Sequence, residues 1–140
     1  MRRYLVVGHR TLGGAHLLEH LHELRAADPY CRFHVLVPEH LGVGWADHEI
    51  RAEAQVRLDE MLDRLASMGM GATGEVGVSD PLRAVAHVIG RYGTQEFTAI
   101  VLSTLPKGLS QWWDVPAAVS EAFPDLALTH LVAELTATTR

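Results

Sequence analysis

The segment from residue 103 to residue 114 holds the densest set of side chains that could bind a ligand. It reads Ser-Thr-Leu-Pro-Lys-Gly-Leu-Ser-Gln-Trp-Trp-Asp, with three hydroxyls, one ammonium group and two large aromatic rings. Hydroxyls and a cation suit a phosphate or a ribose, a following helix N-terminus attracts anions, and tryptophan can stack on a base. Turn hydrogen bonds for the hydroxyls and packing for the tryptophans are the alternatives. The segment predicts an anion or nucleotide site.

A second polar group, residues 8–11, directly follows the apolar run of residues 4–7. In open α/β sheets, ligands bind outside the carboxyl ends of the strands, where the strand order reverses. The residues that follow the first, second and fourth predicted strands should therefore lie at one edge. The predicted ligand-binding residues are Gly8, His9, Arg10, Thr11, Val37, Ser103, Thr104, Lys107, Gly108 and Ser110.

Other site chemistries are disfavoured by the pattern. His16 and His20 have the i,i+4 spacing of some zinc sites, but the leucines of the same helix take the core side, so both histidines are expected to face solvent. Cys31 is the only cysteine, which excludes an internal disulfide and a paired-thiolate metal site. Neither a Gly-x-Ser-x-Gly elbow nor a Gly-x-Gly-x-x-Gly turn is present. We predict no metal site, no catalytic residue and no enzyme activity.

The bulk properties predict one globular domain over residues 1–140. The chain is 48% hydrophobic and 21% charged, and its net charge is −5 without any basic run. A nucleic-acid partner is therefore not expected. The apolar run at residues 4–7 is too short for a signal sequence or a membrane span, so no membrane partner and a cytoplasmic location are predicted.

Five apolar runs alternate with four helical patterns. Strands are predicted at residues 4–7, 33–37, 72–76, 98–102 and 126–132. Helices are predicted from residue 13 to about 28, from 47 to 68, after the Asp80-Pro81 cap and from 116 to 123, and residues 135–140 are predicted to form a frayed tail. The alternation predicts an α/β fold, an open parallel five-stranded sheet with helices on both faces.

This layout resembles the universal stress protein family. The resemblance is carried by Tyr4-Leu5-Val6-Val7 before a polar turn, a strand at 33–37, Gly77-Val78-Ser79-Asp80-Pro81 before a helix, Ile100-Val101-Leu102-Ser103, and Val119-Ser120-Glu121-Ala122 before the last strand. It implies a Rossmann-like, adenine nucleotide alpha hydrolase-like sheet with strand order 3-2-1-4-5, and a homodimer formed through the last strand. In ATP-binding members it implies an aspartate after strand one and a Gly-x-x-Gly-x9-Gly-Ser/Thr loop that holds the phosphates.

The sequence lacks the usual ATP-binding glycine motif. His9 stands at the aspartate position, residues 106–109 replace the first glycine pair, and Ala117-Ala118 replaces Gly-Ser. Glycines allow backbone N–H groups to approach a phosphate closely, and proline and alanine do not. Asp114 is expected to cap the next helix with its carboxylate. We therefore expect a cleft too crowded and too anionic for a triphosphate.

Three functional hypotheses follow. The first is a non-catalytic stress-response or regulatory domain, in which an adenine nucleotide or another small anion is the candidate ligand and no cofactor is certain. The second is a ligand-free protein-interaction domain on the same fold. The third is an ATP-binding or ATP-hydrolysing protein. Fold alone does not choose among them.

Overall fold

The computed structural model describes residues 2–41 and 44–133. Every predicted strand and helix is present, with ends that differ by one or two residues, and a short 3₁₀ helix at Thr94–Glu96 was not predicted. The predicted frayed tail at residues 135–140 lies outside the described residues. The elements are β1 (Arg3–Val7), α1 (Ala15–Ala27), β2 (Arg32–Pro38), α2 (Asp47–Ser67), β3 (Ala72–Gly77), α3 (Pro81–Tyr92), β4 (Ala99–Thr104), α4 (Val115–Ala122) and β5 (Ala127–Val132).

The five strands form one parallel sheet in the order β3-β2-β1-β4-β5, which confirms the predicted fold class and strand order. Each face of the sheet carries its own core. Leucines and methionines of α1 and α2 pack on one face, and the apolar stripes of α3 and α4 pack on the other. Both faces are thus covered by helices, as the crossover connections require.

Two-sided burial explains the continuous apolar runs. In β1, Leu5 and Val7 enter the core beneath α3 and α4, whereas Tyr4 and Val6 enter the core beneath α1 and α2. Because successive side chains of a strand point to opposite faces, a strand covered on both sides needs apolar residues at every position.

Gly74 lies where α2 packs closely against the sheet. A Cβ atom at this position would lie 2.9 Å from the carbonyl oxygen of Val35 and would overlap the side chain of Leu58 on α2. The close packing of α2 against β3 therefore requires glycine within a strand, a residue that strands otherwise disfavour.

The strand order reverses at β1. This strand pairs with β2 on one side and with β4 on the other, so the chain leaves the carboxyl ends of β1 and β4 in opposite directions. A crevice opens between them at that edge, which is where open α/β sheets bind ligands.

Candidate functional site

A cavity of about 80 Å³, which we call the cleft, lies at the carboxyl edge of β1 and β4. Three connections supply its walls: the one after β1, the one after β2 and the long one between β4 and α4. It has room for a few water molecules or one small oxyanion, well below the roughly 300–1,000 Å³ of pockets for larger ligands. The residues that line it are His9, Arg10, Thr11, His40, Ser103, Thr104, Leu105, Leu109, Ser110, Gln111 and Trp112.

Ser103 ties the walls of this cavity together. The residue is 1% exposed. Its hydroxyl oxygen lies 2.5 Å from Oγ1 of Thr11 and 2.8 Å from Nε2 of His16. Thr104, the last residue of β4, bonds instead to Nε2 of His130 on β5 at 2.7 Å. The hydroxyls at the end of β4 thus fix the β1–α1 connection and the neighbouring strand in place.

The buried position of Ser103 also bears on catalysis. A serine beside a histidine is the pair that activates a nucleophile, but a nucleophile has to reach the substrate. The Ser103 hydroxyl is already shared with Thr11, and the residue is almost fully buried. In this arrangement the pair acts as a structural tie.

Two histidines in the cavity wall are held neutral. Burial lowers the pKa of His9 to about 4, and the charges of Arg57, His40 and Arg10 act in the same direction. Burial and the Arg10 charge lower the pKa of His40. Arg10 donates a hydrogen bond to Nε2 of His40 at 3.1 Å, so this nitrogen carries no proton. Both imidazoles are thus uncharged at neutral pH.

The connection between β4 and α4 is built from hydrogen-bonded turns. The N–H groups of Leu109 and Ser110 donate to the carbonyl oxygen of Pro106 at 2.8 and 3.0 Å. The N–H group of Trp112 donates to Oγ of Ser110 at 2.9 Å. These N–H groups are therefore not available to cradle phosphates, as a glycine-rich loop would make them. Trp112 packs against the core beneath α3 and α4, which is the packing alternative considered for the tryptophans.

The expectation that Asp114 makes the cleft anionic is wrong. Asp114 precedes α4 with φ −96° and ψ −7°, a helical conformation, and its carboxylate makes no capping hydrogen bond. A side chain that caps a helix normally sits on extended backbone, from which it can turn back to the N–H groups. Among the described residues that line the cavity, none is a carboxylate.

The structure brings six of the ten predicted ligand-binding residues to the cavity: His9, Arg10, Thr11, Ser103, Thr104 and Ser110. Gly8 and Val37 lie beside it but contribute to the packing beneath it. Lys107 and Gly108 are exposed and stand outside the lining. His40 was not selected from the sequence. Leu105, Leu109, Gln111 and Trp112 belong to the predicted segment 103–114 but were not among the ten named residues, because the positions of side chains on a connection depend on how it folds.

The prediction that His16 faces solvent is wrong. The first turn of α1 lies over the carboxyl edge of the sheet, so His16 is half-buried and reaches Ser103. A helix that follows a strand always begins at that strand's carboxyl end, and this rule could have placed His16 at the edge. Within residues 2–41 and 44–133, no group of three or more histidine, cysteine or acidic side chains could hold a metal ion. In the same part of the chain, no helix is long and apolar enough to cross a membrane.

Comparison with known proteins identifies the fold. No family model matches the sequence, and no curated protein matches it. Among solved structures, a universal stress protein family protein from Arabidopsis thaliana with AMP bound superposes with a TM-score of 0.68 at 11% identity, over 99% of this chain and 95% of that one. A universal stress protein from Archaeoglobus fulgidus gives 0.62 at 14% identity, over 94% and 93%. A universal stress protein in complex with cAMP gives 0.57 at 13%, over 95% and 97%.

Proposed function

Because the chain has the universal stress protein fold, we propose that it is a non-catalytic regulatory domain of the stress response whose cleft binds a nucleoside monophosphate. The observation that carries this proposal is the composition of the cleft. Arg10 and four hydroxyl side chains line it at the reversal point of the sheet, and no carboxylate lies among the described lining residues. The AMP and cAMP complexes of two structural neighbours support this ligand class.

The geometry favours one phosphate over three. A cavity of about 80 Å³ matches a single phosphate group, while the N–H groups that could hold a longer chain are used in turns. The apolar side chains of Leu105, Leu109 and Trp112 lie in the same wall and offer a surface for the base. ATP is expected to bind more weakly than AMP, which also disfavours the ATP-hydrolysing hypothesis.

Replacing Arg10 with alanine is expected to weaken AMP binding about tenfold, because a charge-assisted hydrogen bond to the phosphate is lost. Titration calorimetry with AMP, cAMP, ATP and inorganic phosphate measures this effect. The matched control is Lys107→Ala, which removes a nearby exposed cation outside the cleft. Equal losses in both variants would show that only the general positive charge of the region matters.

A ligand-free interaction domain is the second candidate, and one observation favours it. Leu109 and Trp113, on the connection that walls the cleft, are 57% and 65% exposed. Large apolar side chains at this exposure suit contact with another protein. The absence of heat with every nucleotide in the calorimetry above would favour this candidate.

The cytoplasmic location stays a prediction. We also propose that the chain forms a homodimer through β5. In the described sheet, β5 pairs only with β4 and leaves its outer edge open, and Val132 on it is 45% exposed. An open edge strand is a template for pairing with a second copy. Val132→Asp is expected to shift the protein from dimer to monomer in light scattering, whereas Val56→Asp, at a somewhat more exposed position on α2, leaves it dimeric. A wild-type monomer at micromolar concentration would refute the proposal.

A further inference from the structure

A second cavity, of about 220 Å³, lies on the other side of His9. It is formed between the connection after β1 and the middle of α2, on the face of the sheet that α1 and α2 cover. Its lining residues are His9, Arg10, Leu12, Gly13, Arg57, Glu60, Met61 and Arg64. Arg10 and His9 also line the cleft, so the two cavities are separated by these side chains.

The charge of the second cavity is opposite to that of the protein. Three arginines line it against one glutamate, in a chain whose net charge is −5. Glu60 and Arg64 lie one turn apart on α2, but no ion pair joins these two described residues. The Glu53–Arg57 pair does form, at a long 3.9 Å. The arginines are therefore only partly neutralised by the protein itself.

Two polar groups beside this cavity lack hydrogen-bond partners within the described residues. His9 is 5% exposed, and neither of its ring nitrogens makes a hydrogen bond. Its Nε2 lies 3.4 Å from a carboxylate oxygen of Glu53, without hydrogen-bond geometry. The Nε atom of Arg57 is also buried and unpaired. Buried polar groups without partners are costly, and a bound ion or water is the usual explanation for them.

We propose that this cavity is a second anion site, which holds a tetrahedral oxyanion of the phosphate class between His9, Arg57 and Arg64. The oxyanion accepts hydrogen bonds from Nε of Arg57 and from the imidazole of His9, the two groups that lack partners, once these side chains, whose nitrogens are inaccessible in the structure, turn toward the cavity. This site differs from the proposed nucleotide cleft in Arg57 and Arg64, which belong to α2 and do not line the cleft, whereas His9 lines both cavities.

The donor set explains the choice of a tetrahedral oxyanion. Guanidinium groups present planar pairs of N–H donors that match the oxygens of phosphate, and several of them can share one such ion. The cavity has space for an inorganic ion and also for a phosphomonoester with a small organic group. The inorganic ion and the phosphomonoester would be recognised through the same phosphate oxygens.

Sulfate is the first probe, because its charge does not change over the pH range of interest. Titration calorimetry of the full chain with sulfate is expected to show binding that Arg64→Gln weakens at least about tenfold. Arg64 is exposed, so this change does not threaten the fold, and Arg57→Gln serves as a second variant. The matched control is Arg51→Gln, an arginine on the same helix that pairs with Glu39 outside the cavity.

A cleft variant separates this site from the proposed nucleotide site. Ser110→Trp fills the cleft and is expected to abolish AMP binding while it leaves sulfate binding unchanged. Loss of sulfate binding in Ser110→Trp but not in Arg64→Gln would overturn the proposal, and so would the absence of sulfate binding. Inorganic phosphate and glycerol 3-phosphate are then compared. Tighter binding of either one supports the proposal and shows whether the ligand is an inorganic ion or a phosphomonoester. If neither of them binds, the proposal is refuted.

The pH dependence supplies a readout that a general charge effect would not produce. His9 is neutral when the site is empty, and the groups that face it are Arg10, His40, Glu53 and Arg57. A bound sulfate favours the protonated imidazole, so binding takes up a proton, and affinity is expected to rise about tenfold between about pH 7 and pH 5. His9→Leu is expected to remove this rise. A rise that persists in His9→Leu would contradict the role given to the imidazole.

Discussion

Replacing Ser103 with alanine is expected to lower the free energy of unfolding by about 2 kcal/mol and to weaken ligand binding in the cleft about tenfold. The change removes the atom that holds both Thr11 and His16. The Thr11 hydroxyl is buried and loses its hydrogen bond to Ser103, whereas the half-buried His16 can turn to water. The cost should therefore come mainly from Thr11 and from the loosened β1–α1 connection. Urea unfolding and AMP calorimetry measure the two effects.

A double-mutant cycle with Thr11→Val tests this account. If the two hydroxyls act as a pair, the double variant is expected to be less destabilised than the sum of the single variants by at least about 0.5 kcal/mol. Ser120→Ala, at an exposed position on α4, is the control for a serine change without these contacts. A Ser103→Ala variant as stable as this control would contradict the structural role of the hydroxyl.

Replacing His9 with leucine is expected to stabilise the protein, and increasingly so in acid. The folded protein holds the pKa of His9 at about 4, below the ordinary value of 6.5, mainly because of burial. The stability that depends on a neutral His9 is thus complete above about pH 6.5 and is lost as the pH falls through about 4. The whole shift corresponds to about 3 kcal/mol, and partial solvent screening near the cleft reduces the expected loss to about 2 kcal/mol.

The leucine variant lacks this loss, so the gap between the two unfolding curves should widen from about 1 kcal/mol near pH 7 to about 3 kcal/mol near pH 4. His130, whose pKa burial also lowers, remains in both proteins and cancels in the difference. The control is His87→Gln at an exposed site on α3, which should follow the wild-type curve. A gap that stays constant with pH would show that His9 is not buried in its neutral form.

A stabilising change at His9 also has a functional meaning. An unpaired imidazole between two cavities lowers stability, and proteins keep such groups chiefly where a ligand satisfies them. The same substitution that stabilises the empty protein is expected to remove the pH dependence of sulfate binding. Stability and binding should therefore change in opposite directions at this residue.

The sequence predicted the elements well because local patterns decide them. Continuous apolar runs such as residues 99–102 can be buried only as central strands, and Asp80 caps α3 as its position before Pro81 indicates, with Oδ1 accepting from the N–H groups of Leu82 and Arg83. The site was predicted in part. Five of the residues that line the cleft lie at or just after the ends of β1 and β4, but Ser110, His40 and Trp112 lie on connections whose course has no periodic signal.

The sequence by itself determined the α/β class, the sheet edge at which most of the candidate residues meet and the absence of a glycine loop for a triphosphate. These properties depend on periodicity, on strand ends and on backbone freedom, which are local. The tertiary structure alone decided that His9 is buried between two cavities, that Ser103 bonds to His16, and that Arg57 and Arg64 face a common space. Each of these depends on contacts between residues more than 40 positions apart in the chain, and on the burial that only the packed sheet and helices create.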